Sequence, residues 1–217
     1  MEYNEIGIKA LQEGSYEKAI EAFMKAAEEA PDNPVGYINL GNVFASAGDT
    51  ETAERFFQKA ISLDENAGSA LYGLGNLYFT NDRFEEAAIV YERAIRTGLN
   101  EADAFFMLGK SLKQSDKQKL ALPYLQRAAE LAPSDLEIRL AYGILLCEME
   151  LFEEAQKELS HIIERHEENA DAHYNLGVLY AVSTDRKDDA LFHLERAFTI
   201  EPEHTQARYI YDMIKLG

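Results

Sequence analysis

His161, His166 and His173 fall in one stretch of the chain, interleaved with Glu158, Glu164 and Glu167. Imidazoles and carboxylates of this kind bind zinc when their spacing returns several of them to one point. These spacings match no zinc signature and H-E-x-x-H is absent, so the expectation is surface histidines on helices. His193 and His204 stand alone in the sequence and are expected at the surface too. The single cysteine, Cys147, has Leu146 and Glu148 beside it, neighbours that do not favour a thiolate, and reads as a small wall residue. No nucleophile, base and orienting partner can be assembled, so neither catalysis nor a metal or cofactor is expected. What remains is binding chemistry: asparagine amides that donate and accept at once, aromatic rings, and lysines.

The elements that must position those groups are set by a repeat. Glycine recurs at Gly7, Gly41, Gly75, Gly109, Gly143 and Gly177, each step being 34 residues. Alanine keeps the same step at Ala19, Ala53, Ala87, Ala121 and Ala155, and a large apolar residue follows at Phe23, Phe57, Tyr91, Leu125 and Leu159. In the sixth unit the equivalents, Ala190 and Leu194, come one place late. This puts an inserted residue between Tyr180 and Ala190, in the turn stretch from Ser183 to Lys187. The glycines are locked to the period, which argues against a phosphate-binding loop. Within a unit, Tyr37, Leu40, Gly41 and Phe44 have helical spacing, as do Ala53, Phe57 and Ala60. Gly48-Asp49 between them is a helix stop followed by an N-cap. Each unit is therefore a helix hairpin, and glycine at one place in six helices implies close packing that outweighs its cost of about 1 kcal/mol against alanine.

The chain has 217 residues and a formal charge of −18. That charge disfavours nucleic acid, whose phosphates need Lys and Arg. No apolar run approaches the roughly 18 residues of a membrane span. Met1-Glu2-Tyr3-Asn4-Glu5 has neither the basic start nor the apolar core of a secretion signal, and one cysteine allows no internal disulfide. A reducing cytoplasm is the expected location.

The unit Tyr37-Ile38-Asn39-Leu40-Gly41-Asn42-Val43-Phe44, followed by Gly48, Ala53, Phe57 and Ala60, resembles a tetratricopeptide repeat (TPR). The wider chain is similar to small TPR-only cytoplasmic proteins of Gram-positive bacteria. Repeats at 1–33, 34–67, 68–101, 102–135, 136–169 and 170–204 leave 205–217 as a capping helix, carrying Ala207, Ile210, Tyr211 and Ile214 at helical spacing. The resemblance implies an all-α solenoid: a right-handed superhelix of six hairpins and a cap in one domain, with a concave groove that holds partner peptides. The departures are the missing tryptophan of the first helix, Ile162 in an alanine position, and Pro123, which should kink or loosen a turn of its helix.

At about 100° per residue, the first helix has a second side opposite its core stripe. In the TPR family that side lines the groove. One column there reads Asn4, Ile38, Tyr72, Phe106, Leu140, Tyr174 and, in the cap, Tyr209; large apolar groups with no core to join either cover one another or bind a ligand. A second reads Ile8, Asn42, Asn76, Lys110, Ile144 and Val178, and a third Leu11, Ala45, Phe79, Lys113, Cys147 and Ala181. Asn42 and Asn76, assisted by Asn39 and Asn175, either grip a peptide backbone or cap neighbouring carbonyls. The fourth repeat alone is net positive: Lys110, Lys113, Lys117, Lys119 and Arg127 against Asp103, Asp116, Glu130 and Asp135. Asp103, Glu137 and Asp171 form an acidic column beside the groove. The chaperone-binding TPR clamp requires a Lys and Asn, then an Asn, then a Lys and Arg on successive first helices. From the first repeat this chain offers Asn4 and Ile8, Asn39, then Ser69 and Gly73, so that mode is not expected.

The sequence thus predicts a non-catalytic scaffold or adaptor. Tyr72, Phe79, Phe106, Tyr174 and Tyr209 would bury a partner's side chains, Asn39, Asn42 and Asn76 would hold its backbone, and Lys110 and Lys113 would select an acidic group. The peptide is extended or helical, and the protein is expected to be a monomer. The alternative is a structural TPR protein whose groove or solenoid end is occupied by another copy.

Overall fold

The computed structural model describes residues 2–183 and 186–216. Thirteen α-helices and no strand occur among them. The first helices of the repeats are α1 (Glu2–Gln12), α3 (Pro34–Ser46), α5 (Gly68–Thr80), α7 (Ala102–Gln114), α9 (Leu136–Glu148) and α11 (Ala170–Ser183). Their partners are α2 (Tyr16–Glu29), α4 (Thr50–Leu63), α6 (Phe84–Arg96), α8 (Gln118–Leu131), α10 (Phe152–Arg165) and α12 (Lys187–Ile200), and the cap is α13 (Thr205–Leu216). The extra residue expected in the sixth repeat falls where Thr184 and Asp185 lie outside the described residues.

The helices gather into two compact units, one up to Lys117 and one from Gln118. The division falls inside the fourth repeat, between its two helices. In the first unit α1 packs on α3, α3 on α5 and α5 on α7; in the second α9 packs on α11 and α11 on α13. First helices therefore share one face in each unit, which sets their outward side chains in rows.

The glycine column makes room for a large side chain of the second helix, a ring at Gly7, Gly41 and Gly75 and a leucine at Gly143 and Gly177. A methyl group on Gly41 would lie 2.7 Å from the Phe57 ring, one on Gly75 2.6 Å from Tyr91, and one on Gly177 2.7 Å from Leu194. Gly7 would meet Phe23 in the same way. Phe23, Phe57, Tyr91, Leu159 and Leu194 are fully buried, and the alanine column beside them is sealed as well. Ile162, in an alanine position, is also buried.

The first-helix stops repeat too. Gly14, Gly48, Asp82, Asp116 and Glu150, one per 34 residues, all have φ between 56° and 78°, the left-handed conformation that ends a helix. After Gly48, Asp49 caps α4 by accepting from the Thr52 amide at 3.1 Å. α8 continues through Pro123, whose side chain lies on the exposed side, so the proline removes one amide donor without ending the helix. At the cap, Ala207 is sealed against Leu194 and Ala197, as a capping helix requires.

The surface-histidine expectation fails at three positions. His173 is 2% exposed and its Nδ1 lies 2.9 Å from Nδ1 of the half-buried His193 on the next helix. His204 is 8% exposed and accepts from the Ala207 amide at 3.3 Å. Burial comes from neighbouring helices, His193 of α12 against His173 and Tyr174 of α11 against His204, which local spacing does not reveal.

Candidate peptide-binding face

In the first unit the face is built on α1, α3, α5 and α7, and most of its polar groups have protein partners. Asn39 donates to Asn4 Oδ1 at 3.0 Å, tying α3 to α1. Asn76 accepts from the Tyr91 hydroxyl at 2.6 Å, which satisfies a phenol deep in the α5/α6 hairpin. Burial pushes that phenol's pKa far up, with Tyr72 adding to it, so it stays a donor. Tyr72 is half-buried and tilted against Tyr91 at a centroid distance of 5.6 Å. Its own pKa is raised first by burial and then by Asp103, against the opposing hydrogen bond of Asn76. Asn42 is exposed, its amide oxygen beside Gly73 of the next first helix.

The basic spot has an aromatic floor. Lys110 Nζ sits 4.8 Å from the centre of the Phe106 ring and 5.7 Å from that of Phe79. Phe106 is 6% exposed, so a ligand here meets the ammonium before the ring. Phe79 is half-buried and edge-on to Phe84 at 5.3 Å. Lys113, one turn beyond Lys110, is half-buried. A cation held over two apolar rings, with a second lysine one turn away, can hold a carboxylate and the chain that carries it.

Tyr174 and Tyr209 belong to the second unit, where they line one depression with Thr205, Gln206 and Ile210. Tyr174 is half-buried and tilted against His204 at a centroid distance of 4.6 Å, and Tyr209 is 66% exposed. Because the sixth repeat is one residue longer, the step to α13 is 35, which carries Tyr174 to Tyr209, Val178 to Met213 and Ala181 to Leu216. A strict 34-residue step misses Met213 and Leu216; the offset of Ala190 was the signal that finds them. Met213 is 58% and Leu216 89% exposed. Cys147 in the same face has its thiol pushed up to about 11 by burial and Glu148, so at neutral pH it is an uncharged, small apolar group.

No group of three or more His, Cys, Asp or Glu suited to a metal occurs among the described residues. Among them, no helix is long and apolar enough to cross a membrane.

A family described as the cilia and flagella-associated protein 70 C-terminal domain matches residues 3–178, and a tetratricopeptide repeat family matches 170–204. The crystal structure of YrrB, a TPR protein described as having an unusual peptide-binding site, superposes with a TM-score of 0.85 at 40% identity, covering 89% of this chain and 100% of that one. The chain belongs to the tetratricopeptide repeat family. Aligned by sequence with the TPR repeat-containing protein YrrB of Bacillus subtilis (strain 168), this TPR chain is 49% identical over 41 residues, which are 19% of it and 20% of the relative. That alignment spans about a fifth of the curated relative's length. The structure of pilF from Pseudomonas aeruginosa shares the TPR fold at a TM-score of 0.77 and 22% identity, over 97% of this chain and 96% of that one.

Proposed function

We propose that this TPR protein is a non-catalytic scaffold that binds a peptide segment of a partner protein on the outward face of its first helices. The observation that carries the reading is the row formed by Asn42, Tyr72, Phe79 and Lys110 on three adjoining helices, with the lysine held over two rings. The likeness to YrrB, described as having a peptide-binding site, supports it. The hydrogen bonds divide the amides: Asn39 and Asn76 set the frame through Asn4 and Tyr91, while exposed Asn42 grips the ligand backbone. Lys110 and Lys113 select an acidic group in the first unit; in the second unit Tyr174 and Tyr209 are the apolar contacts of its own first-helix face.

Self-association through the ends is disfavoured by what stands there. Glu2 and Lys9 occupy columns that hold Gly36 and Val43 one repeat on, and Asp212 occupies the column of Gly177. The equivalent positions of other repeats are apolar or small, and the charges on α1 and α13 oppose burying those sides against an apolar surface of a second copy. The reading therefore includes a monomer in the cytoplasm, and the net charge of −18 keeps nucleic acid out.

The test is partner capture from the source cytoplasm with wild type and an Asn42→Ala/Tyr72→Ala/Tyr209→Ala variant whose helicity is verified by circular dichroism. At least a tenfold drop in affinity for captured partners is expected. Unchanged affinity for every partner overturns the reading. Lys110→Glu separately weakens an acidic ligand, and an unaltered affinity there removes the acidic-group assignment.

A further inference from the structure

The first-helix columns change chemistry between the two units. Positions held by Asn42, Asn76 and Lys110 in the first unit are Ile144, Val178 and Met213 in the second. Those held by Phe79 and Lys113 are Ala181 and Leu216, and the aromatic column continues from Leu140 through Tyr174 to Tyr209. No amide or charge stands in these columns themselves; Asn175, which donates to the Asp171 carbonyl at 2.8 Å, and Gln206, beside Tyr209 in the depression, lie next to them, and the α13 edge is the most exposed, with Tyr209, Met213 and Leu216 between 58% and 89% accessible. Exposed Glu137 and Asp171 border it at the N-terminal turns of α9 and α11. From Gln118 onward, ten basic side chains face nineteen acidic ones.

We infer that this face of α9, α11 and α13 docks an amphipathic helix of a partner protein, with an apolar stripe flanked by lysine or arginine. The inference deepens the peptide-binding reading above and rests on it. An extended segment lying along these apolar columns would leave most of its backbone groups without partners, and unpaired backbone polar groups are costly to cover. A helix satisfies its own backbone and needs only an apolar surface. The dimensions fit as well. The columns are seven residues apart along each helix, about 10 Å at 1.5 Å per residue, which is the diameter of one helix. Three helices at interaxial distances of about 8–10 Å make a strip about 16–20 Å long, enough for a ligand helix of about 12–14 residues. The charge of the unit and the carboxylates at its border choose basic flanks over acidic ones.

The probe is an 18-residue Leu/Lys peptide with leucines at i, i+3, i+4 and i+7, titrated into the full chain and followed by fluorescence anisotropy. A scrambled isomer and a Leu/Glu peptide of the same pattern are the controls. The Leu/Lys helix should bind at least tenfold more tightly than either. A Tyr209→Ser/Met213→Gln variant, altered only at exposed side chains, should lose at least tenfold, while Gln126→Ala, at an exposed position on α8, binds the probe like wild type. Equal binding of the scrambled peptide or of the Leu/Glu peptide overturns the inference, as does a variant that binds unchanged. If Tyr209→Ser/Met213→Gln instead turns an oligomer into a monomer in sedimentation, a second copy occupies the face and the inference falls. Binding to phosphatidylglycerol vesicles that this variant abolishes overturns it in favour of a lipid surface. If no probe binds while a captured partner still depends on Asn42 and Tyr72, this inference fails and the scaffold reading stands.

Discussion

His173 and His193 show how far a side chain's meaning depends on its partner. The Glu167 carbonyl, 3.1 Å from His173 Nε2, only accepts, so that nitrogen carries a proton. With His173 neutral, its Nδ1 accepts from Nδ1–H of His193. Burial lowers both pKa values: His193 falls to about 4 through desolvation and then its neighbour imidazole, Arg186 opposing protonation and Asp189 favouring it. His173 is lowered by desolvation and Arg196 against the favourable Glu167. An unfolded histidine titrates near 6.5, so the unfolded chain takes up protons first as pH falls. The pair's stability is complete above about 6.5 and is lost progressively towards about 4, on the order of 2 kcal/mol after allowance for partial exposure. Urea unfolding at pH 7 and pH 4.5 should show a smaller loss for His173→Leu/His193→Val than for wild type, the difference being that increment; identical pH dependence would show that the pair does not titrate in this way. The pair was readable in the columns. Arg139 and Glu158, which meet at 2.6 Å, stand in the same two places one repeat earlier, and Leu71 and Val90 stand there in the third repeat. The departure from apolar to ionic to imidazole pair marks a buried polar contact, whereas local spacing around the histidines does not.

At the scale of the element, the period was legible because it records packing inside a hairpin. In the glycine column Gly7, Gly41, Gly75, Gly143 and Gly177 each face one large residue of their own second helix, and that pairing repeats whatever the solvent-facing columns carry. It is not uniform, and the differences have consequences. A methyl on Gly41 would come 2.7 Å from a rigid ring fixed among buried neighbours, but on Gly143 it would come 3.1 Å from Leu159, a branched chain that can shift. Alanine gains about 1 kcal/mol of helix propensity over glycine at either site. Overpacking a full core costs about 1–3 kcal/mol. Gly41→Ala should therefore destabilise by up to about 2 kcal/mol and by more than Gly143→Ala, which should stay within about 0.5 kcal/mol of wild type in chemical denaturation; equal losses would mean that the ring does not set the cost. The candidate site was less legible than this frame. Helical spacing put Phe106, Asn39 and Asn76 on the outward side, but Lys110 covers the first ring, Asn4 holds the second residue and Tyr91 the third. Column position says which way a side chain leaves its helix, and the neighbouring helix decides whether it reaches solvent.

For the molecule as a whole, the sequence shows where hairpins begin and end but not how their contacts gather. The division at Lys117 falls inside a repeat and no shift in composition marks it. Charge is the property that belongs to the entire chain. Eleven basic against twenty acidic side chains up to Lys117, and ten against nineteen beyond it, give each unit the same net charge of −9. Two copies therefore repel at long range, whatever the local chemistry of the apolar face of α9, α11 and α13. Salt separates the two effects. The Debye length falls from about 10 Å at 0.1 M to about 3 Å at 1 M, which removes most of the repulsion and leaves apolar attraction intact. Sedimentation velocity should give a 24.5 kDa monomer at both concentrations if the face is shaped for a foreign helix rather than for itself. A dimer that forms only at 1 M salt, and that Tyr209→Ser/Met213→Gln abolishes, would show that the face is self-complementary and that charge alone keeps the chain monomeric at 0.1 M.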